Sequence, residues 1–445
     1  MHFSLGFQGL RKGEPMSEKS VSKQKLAVIG GGVAGIVSAY MLQNKYRVTL
    51  FDQNDYLGGH TNSIEITRGP DAGLAVDTGF IVLNDATYPL FQSFLASLGV
   101  ETRVAEMSFG FQCLQSGLVY AGNDLNGLFA QRRNLVSPSF FSFLLEIARF
   151  SKKARNDLDS GTVPSVTLGE YLQQGNFSTF LIDNYLLPMA AAIWSTPTLR
   201  AAEFPAEAFL HFFRNHGLLS LRHRPQWKTV VGGSFAYVKA FQRNFCGKVQ
   251  LNTGVEKVFR EAEGIRLQFA DGLNEQFDQV VLATHADQAL RLLGDPSVDE
   301  QRLLSPWKYQ HNHTVLHTDS TLLPEQRAAW SAWNFTREAD GDAGSRPVFV
   351  SYYMNLLQGF HAEQDYCVTL NRRKSIRPES VIAEFDYQHP QYSFASLATQ
   401  TELPSLNGQR NSWFCGSYFG YGFHEDAVRS AVDVAENLGG QLCGR

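Results

Sequence analysis

The sequence predicts a two-domain α/β fold, with one parallel-sheet domain assembled from separated chain segments and a second domain of sheet and helical cap. Three observations carry that prediction. A strand, turn, helix and strand follow one another from Lys25, this regular unit stops at Gly59, and glycine-rich turns return at 230–234 and 414–422. A chain of 445 residues is also too long for one ordinary core and calls for two or three domains.

The opening unit reads KLAVIGGGVAGIVSAYMLQNKYRVTLFDQNDYLGG over Lys25 to Gly59. Leu26 to Ile29 is a short apolar run with a β-branched pair, suited to a strand buried on both faces. Gly30, Gly32 and Gly35 then form G-x-G-x-x-G, for a sharp turn, close approach of backbone to a pyrophosphate, and tight helix–strand packing. Helical spacing from Val33 to Gln43 sets the phosphates against amides at a helix N-terminus, with Ala34 among the contacts. A second strand, Arg47 to Phe51, ends at Asp52, about the ~20 residues onward where an acid bonds a ribose hydroxyl. A carboxylate there suits the free 2′-OH of FAD or NAD and disfavours NADP. A glycine-rich turn without a ligand is the competing reading; the ordered strand, helix, strand and acid argue for a dinucleotide site.

Beyond Gly59 the pattern leaves the βαβ repeat. Residues 61–67 and 74–82 read as strand pieces around the turn Arg68-Gly69-Pro70-Asp71. Helical spacing covers 87–99, 137–155 and 167–220, the last broken at Pro188, Pro197 and Pro205. Strands are expected at 249–251, 254–260, 265–269, 277–283, 309–318 and 346–354, with a polar loop around Asp340-Gly341-Asp342. The segment 412–439 reads as strand, glycine turn and helix. The expected division is an extension over 1–23, a dinucleotide domain from 24–105, 228–290 and 405–445, a cap over 106–227 and a substrate sheet over 291–404.

Composition narrows the function classes. A net charge of −4 argues against a nucleic-acid partner, which calls for a basic excess. Five scattered cysteines form no C-x-x-C pair, as expected of reduced thiols in the cytoplasm. Residues 1–25 lack a signal peptide's apolar core and are expected to be disordered, with Met16 a candidate natural start. No stretch reaches the ~18–20 apolar residues of a membrane span. No G-x-S-x-G or H-E-x-x-H occurs, so hydrolase readings have no support.

Three further segments look built around the same ligand: Asp55-Tyr56-Leu57-Gly58-Gly59-His60, Val230-Val231-Gly232-Gly233-Ser234, and WFCGSYFGYGFHEDAVRSA over 413–431. Together with the N-terminal fingerprint they resemble the flavin amine oxidase and phytoene desaturase superfamily from about Lys25 onward. PMAAAIWSTP (188–197), NHTVLHTD (312–319), SAWNF (331–335) and FCGSYFGYGFHEDAVRSA (414–431) resemble one bacterial subgroup described as NAD/FAD-binding. Its members often accompany cyclopropane fatty acid synthases. The resemblance implies a Rossmann-like FAD domain, non-covalent FAD, an oxidoreductase and a substrate domain of sheet and helical cap. It also implies lipid chemistry and a lipid methyltransferase as partner.

The resemblance assigns Gly58, Gly59, His60, Val255, Gly416 and Ser417 to the cofactor as well. His424 matches the family residue whose backbone amide serves the flavin C2 oxygen, and its imidazole is a candidate proton carrier. Two departures matter. Ser417 stands where many members bond the ribityl chain with an acid. Phe423 replaces a Tyr of the amine oxidases' aromatic cage, keeping the apolar wall without the phenol. His313, with His311, lies near the stretch where relatives hold a lysine beside flavin N5, and Lys308 misses that position. Alternation puts His311, His313 and His317 on one strand face, without an acid or Cys at metal-ligand spacing. Trp194, Tyr352 and Tyr353 are pocket or core aromatics.

These readings lead to hydride removal from an apolar, fatty-acyl substrate. Oxidation of an amine C–N bond is the alternative, and a non-catalytic FAD-binding partner of a methyltransferase is a third reading. Peripheral contact with the inner membrane surface is expected through 138–145, whose apolar residues are contiguous; a buried cap helix is the competing reading.

Overall fold

A computed structural model of the chain describes residues 23–194, 201–220, 225–338, 349–372 and 375–442, the side chains of 192–194 excepted. The extension before residue 23, the loop around Asp340 and the Trp194 side chain lie outside the described residues.

Lys25–Ile29 is the middle strand of a five-stranded sheet in which every pairing is parallel. The order is Lys248–Gln250, Arg47–Phe51, Lys25–Ile29, Gln279–Leu282, Ser412–Phe414. Pleating sends alternate side chains to opposite faces. Leu26, Val28, Leu50 and Val281 pack on the helices Val33–Leu42 and His424–Asn437 through Ile36, Val37, Val428 and Val432. Ala27, Ile29, Phe51 and Leu282 face the other way, into the core shared with the second domain. Each of the Val, Leu, Ile and Phe side chains among them contributes about 1.5–3 kcal/mol by burial. Strand order reverses at Lys25–Ile29, and a crevice for ligand opens beyond the carboxyl ends at such a point.

The second domain rests on a seven-stranded sheet ordered Val381–Gln391, Lys308–His317, Cys367–Leu370, Phe349–Tyr353, Trp333–Arg337, Phe109–Cys113, Val119–Ala121. Only the Trp333–Arg337 and Phe109–Cys113 strands pair in parallel. The helices Pro138–Asp159, Leu168–Gln174 and Ala206–Asn215 belong to the same core, with Phe143, Tyr171 and Phe209 buried. Ser137 caps the first of them, and a Thr167–Glu170 capping box starts the second. Among the described residues no helix is long and apolar enough to cross a membrane.

Several expectations need correction. Five strands of this sheet escape the sequence pattern: 109–113, 119–121, 333–337, 367–370 and 381–391. The last contains Pro390 and lies at the sheet edge, where a missing N–H is tolerated. The single strand expected at 277–283 is two, Asn274–Phe277 in an antiparallel meander and Gln279–Leu282 in the parallel sheet. Between them Asp278 redirects the chain, taking the Lys25 amide on its carboxylate. Pro188 does not end its helix. A π turn over Ile182–Leu186 leads into Leu187–Trp194, and the Asn184 carbonyl four residues before Pro188 accepts the Tyr120 hydroxyl at 2.7 Å.

Candidate active site

The carboxyl end of Lys25–Ile29 opens into a cavity of about 1100 Å³ that continues into the second domain. Its first wall is the glycine turn. Gly30 has φ +103°, and a Cβ there would stand 2.7 Å from the Ala283 carbonyl oxygen. A Cβ on Gly35 would stand 1.8 Å from the Gly30 oxygen, so only glycine lets this helix lie on this strand. Around Gly32 a Cβ would meet nothing within 4 Å, because that position faces the cavity. Helix Val33–Leu42 begins with neither a side-chain cap nor an acid in its first turn, which suits a phosphate better than a carboxylate would. Asp52 accepts the Gly31 amide at 2.7 Å and the Asn54 amide at 2.8 Å. Burial raises its pKa, and these amides oppose the rise.

Gly58 and Gly59 fold back on this turn. The Gly58 amide reaches the Gly31 carbonyl at 2.8 Å, and Gly58 and Gly59 have φ +119° and +59°. Gly30, Gly32, Ala34, Asp52, Gly58, Gly59, His60, Val255, Gly416, Ser417, Phe423 and His424 all line the cavity. Gly35 stands behind it as a packing residue. This uncapped helix start, open glycine backbone and buried acid fit an FAD: the turn would face its pyrophosphate and Asp52 its ribose.

At the other end, Asp426 takes the Tyr421 and Phe423 amides and closes the start of helix His424–Asn437. Glu425 accepts the Leu90 and Phe91 amides, tying that helix to Pro89–Ser97. Burial pushes the Glu425 carboxyl up to about 7. The His424 ring lies 3.8 Å from Phe80 in a stack, with Nε2 3.1 Å from the Tyr237 hydroxyl. Burial pushes its pKa down to about 3, so the imidazole is neutral near pH 7 and poorly suited to accept a proton.

Phe423 stacks on Phe212 at 4.8 Å and touches His216 at 5.2 Å; His216 also stacks on Trp227. Sequence reading misses this wall, although the apolar spacing of Phe209, Phe212 and Phe213 on one helix marks the element that carries it. His216 donates Nδ1–H to the Phe212 carbonyl at 3.0 Å, because a carbonyl only accepts. Its Nε2 is therefore an acceptor while the ring is neutral, and burial lowers its pKa to about 4.

A further group, His60, His285 and His389, lines the same cavity with ring centroids 5.9 and 5.4 Å from His60. His60 donates from Nε2 to the Gln388 carbonyl at 3.1 Å and stacks on Tyr387. The Asn312 amide donates to His389 Nδ1 at 2.8 Å while its oxygen takes the Asn371 amide, which leaves the His389 proton on Nε2. Burial lowers all three imidazoles, with His285 and His389 near 3.

His313 is a correction. Its Nε2 pairs with Glu384 at 2.9 Å, with both side chains about two-fifths exposed, and it does not line the cavity. Asn312, one residue earlier, points inward and stands behind the cavity wall, bonded to the lining His389, since neighbouring residues of a strand point to opposite sides. His311 likewise pairs outward with Asp386. Lys308 is exposed, and no lysine lines the cavity among the described residues. Gly232 and Gly233 also stand away from it. They serve the buried Asp77, which takes the Ser234 amide at 2.8 Å and the Gln358 side chain at 2.9 Å, with burial pushing it up to about 7. Tyr352 lines the cavity, whereas Tyr353 bonds Asp365 at 2.8 Å. Two buried donors on the cavity wall, Trp333 Nε1–H and the Tyr418 hydroxyl, have no hydrogen-bond partner among the described residues.

Comparison with known proteins matches the family of flavin-containing amine oxidoreductases over residues 33–438. An L-amino-acid oxidase of Siganus canaliculatus is 21% identical over 318 residues, which span 68% of this chain and 58% of that protein. Among solved structures, a putrescine oxidase redesigned at its cofactor site aligns with TM-score 0.68 at 13% identity, covering 94% of this chain and 99% of that one. A CLA-producing fatty acid isomerase from P. acnes aligns with TM-score 0.67 at 14% identity, covering 93% and 98%. At such identities the two structures share the fold.

Proposed function

The chain belongs to the flavin-containing amine oxidoreductase family, with FAD as its cofactor, and we propose that it oxidises an apolar, uncharged substrate of acyl-chain type. One observation carries the reading: among the described residues the substrate end of the cavity offers no charged side chain. Among the described residues the charged groups along the cavity are Asp52, Glu256, Arg291 and Asp386. Asp52 and Glu256 belong to the dinucleotide end, Arg291 to the helix beside it, and Asp386 faces His311 outside. Met107, Phe109, Met189, Trp333 and Leu357 line the substrate end with Tyr120, Tyr185 and the Phe423 stack. An ammonium or carboxylate placed there loses its hydration without a counter-charge, at a cost of several kcal/mol.

FAD, when bound, supplies the acceptor for a hydride. The residues of this chain do the rest. Phe423 and Phe212 hold an apolar chain against one wall, and the closed aromatic lining keeps water from the reacting carbon. His216 Nε2 offers a lone pair on that wall for a hydrogen bond; with its pKa lowered to about 4 it is, like His424, poorly suited to hold a proton.

A second reading also has an observation behind it. The bare His216 Nε2 beside an aromatic wall suits the N–H of a neutral amine, as C–N oxidation would require. Anaerobic mixing separates the two. Neutral acyl esters should bleach the flavin absorbance and lose two hydrogens by mass, while soluble primary amines leave it unchanged. Rapid bleaching by amines with no change in lipid mass overturns the acyl reading and installs the amine one.

A further inference from the structure

We propose that the outer face of helix Pro138–Asp159, with the turn before it, docks on an anionic phospholipid surface. The contiguous apolar run Phe140-Phe141-Ser142-Phe143-Leu144-Leu145 splits between two sides of the helix. Phe140 and Phe143 point inward, each 2% exposed, against Tyr120. Phe143 also meets Tyr185, and both tyrosines line the substrate end of the cavity. Phe141 and Leu145, one helical turn apart, point outward at 44% and 71% exposed. Val136, at 84%, and Leu135 and Leu125 extend the apolar area on the adjoining turns. Side chains of this size, exposed together on one wall of the domain, call for a partner.

Charge identifies which partner. From Leu125 to Leu145 there are two arginines, Arg132 and Arg133, and no acid; the acids at either end are engaged elsewhere, Asp124 with the Gly127 amide and Glu146 with Arg149 and the Ser178 amide. Both are exposed, and among the described residues their guanidinium groups donate to neutral acceptors, Arg132 to the Phe129 carbonyl and the Asn126 side chain, Arg133 to the Gly117 carbonyl. Lys152 continues the outward stripe of Phe141 and Leu145. Apolar side chains flanked by uncompensated cations match a bilayer interface with anionic headgroups. A second copy of this chain fits poorly, because a two-fold interface on this face would bring four arginines together with no acid from 125–145 to meet them. Docking stands independently of the acyl-substrate reading; it would place the helix between lipid and cavity, one side chain layer from Tyr120.

The test uses the full chain with FAD bound and sedimentation with vesicles. Wild type should pellet with phosphatidylcholine–phosphatidylglycerol vesicles, stay in solution with phosphatidylcholine alone, and release at high salt. Phe141→Ser with Leu145→Ser, and separately Arg132→Ser with Arg133→Ser, should each weaken binding at least about tenfold with the flavin spectrum unchanged. If the apolar pair disturbs the flavin spectrum, the arginine pair decides, since it leaves the apolar packing alone. Wild type that ignores anionic vesicles, or binding that survives the arginine pair, overturns the proposal. So does a solution dimer that the apolar pair dissolves, which would give this face to a second copy. Turnover of detergent-dispersed lipid is measured apart, so failure of docking and failure of the acyl reading give different results.

Discussion

Replacing Asp52 with alanine tests two structural roles at once. The carboxylate is 9% exposed and already holds the Gly31 and Asn54 amides at 2.7 and 2.8 Å. A carboxylate offers about four lone-pair sites, so room remains for a ribose hydroxyl. In the FAD-free protein, alanine leaves both amides unsatisfied at roughly 1–3 kcal/mol each. Relief of the buried charge offsets part of that, for a net loss of about 2–3 kcal/mol. On binding FAD the lost charge-assisted bond is worth on the order of 1.5–3 kcal/mol, a rise in Kd of about ten- to a hundredfold. Asp52→Asn should fall between, since its oxygen keeps one amide and its NH₂ meets the other. Titration of stripped protein with FAD by fluorescence quenching reads the first effect, and the melting temperature without FAD reads the second. A lowered melting temperature with unchanged Kd would mean that Asp52 only braces the glycine turn. No change in either quantity refutes the reasoning.

Two glycine substitutions should separate packing from ligand contact. Gly35→Ala, with its Cβ 1.8 Å from the Gly30 oxygen, should destabilise the fold by about 4 kcal/mol or more, while Gly32→Ala should leave the FAD-free melting temperature unchanged and still weaken FAD binding. FAD should leave the protein on acid precipitation, because Cys415 is buried against Ser38 at 3.7 Å and does not line the cavity; yellow colour retained in the precipitate would contradict this. The buried imidazoles of His216, His285, His389 and His424 have pKa values depressed to about 3–4, so the stability they contribute is present above about 6.5 and lost as pH falls toward 4. Asp77 and Glu425, raised to about 7, contribute in the opposite sense, with stability lost as pH rises toward 7. The imidazoles outnumber them, and the melting temperature of FAD-free protein should drop between pH 6.5 and 4, a flat profile counting against it. Trp333→Phe removes an unpartnered donor and keeps an apolar ring; KM for a substrate with a polar end should rise about tenfold, on the order of 1.5 kcal/mol, with kcat and stability unchanged.

The dinucleotide end was legible in the sequence because its parts are local. Lys25 to Gly59 contains the strand, the turn, the helix and Asp52, and the contacts of Gly31 with Asp52, of Gly35 with Gly30 and of Lys25–Ile29 with Arg47–Phe51 join residues at most a few tens of positions apart; the packing of Gly30 on Ala283 is the long-range exception. Gly30, Gly35 and Asp52 carry steric and charge requirements that few other residues meet, so composition and spacing express them directly. The substrate end follows a different logic. Trp333 pairs with Phe109, His216 meets Phe423, and Asn312 reaches His389, each across long stretches of chain. Period-two alternation identified Lys308–His317 as a strand, yet which parity was buried toward His389 and the cavity wall depended on the edge strand Val381–Gln391 that covers it. The run 140–145 was apolar in sequence; only Tyr120 and Tyr185 on one side, and solvent on the other, divided Phe140 and Phe143 from Phe141 and Leu145. Local periodicity records what a segment can form, and the choice of which side it buries is made by partners distant in sequence when they pack.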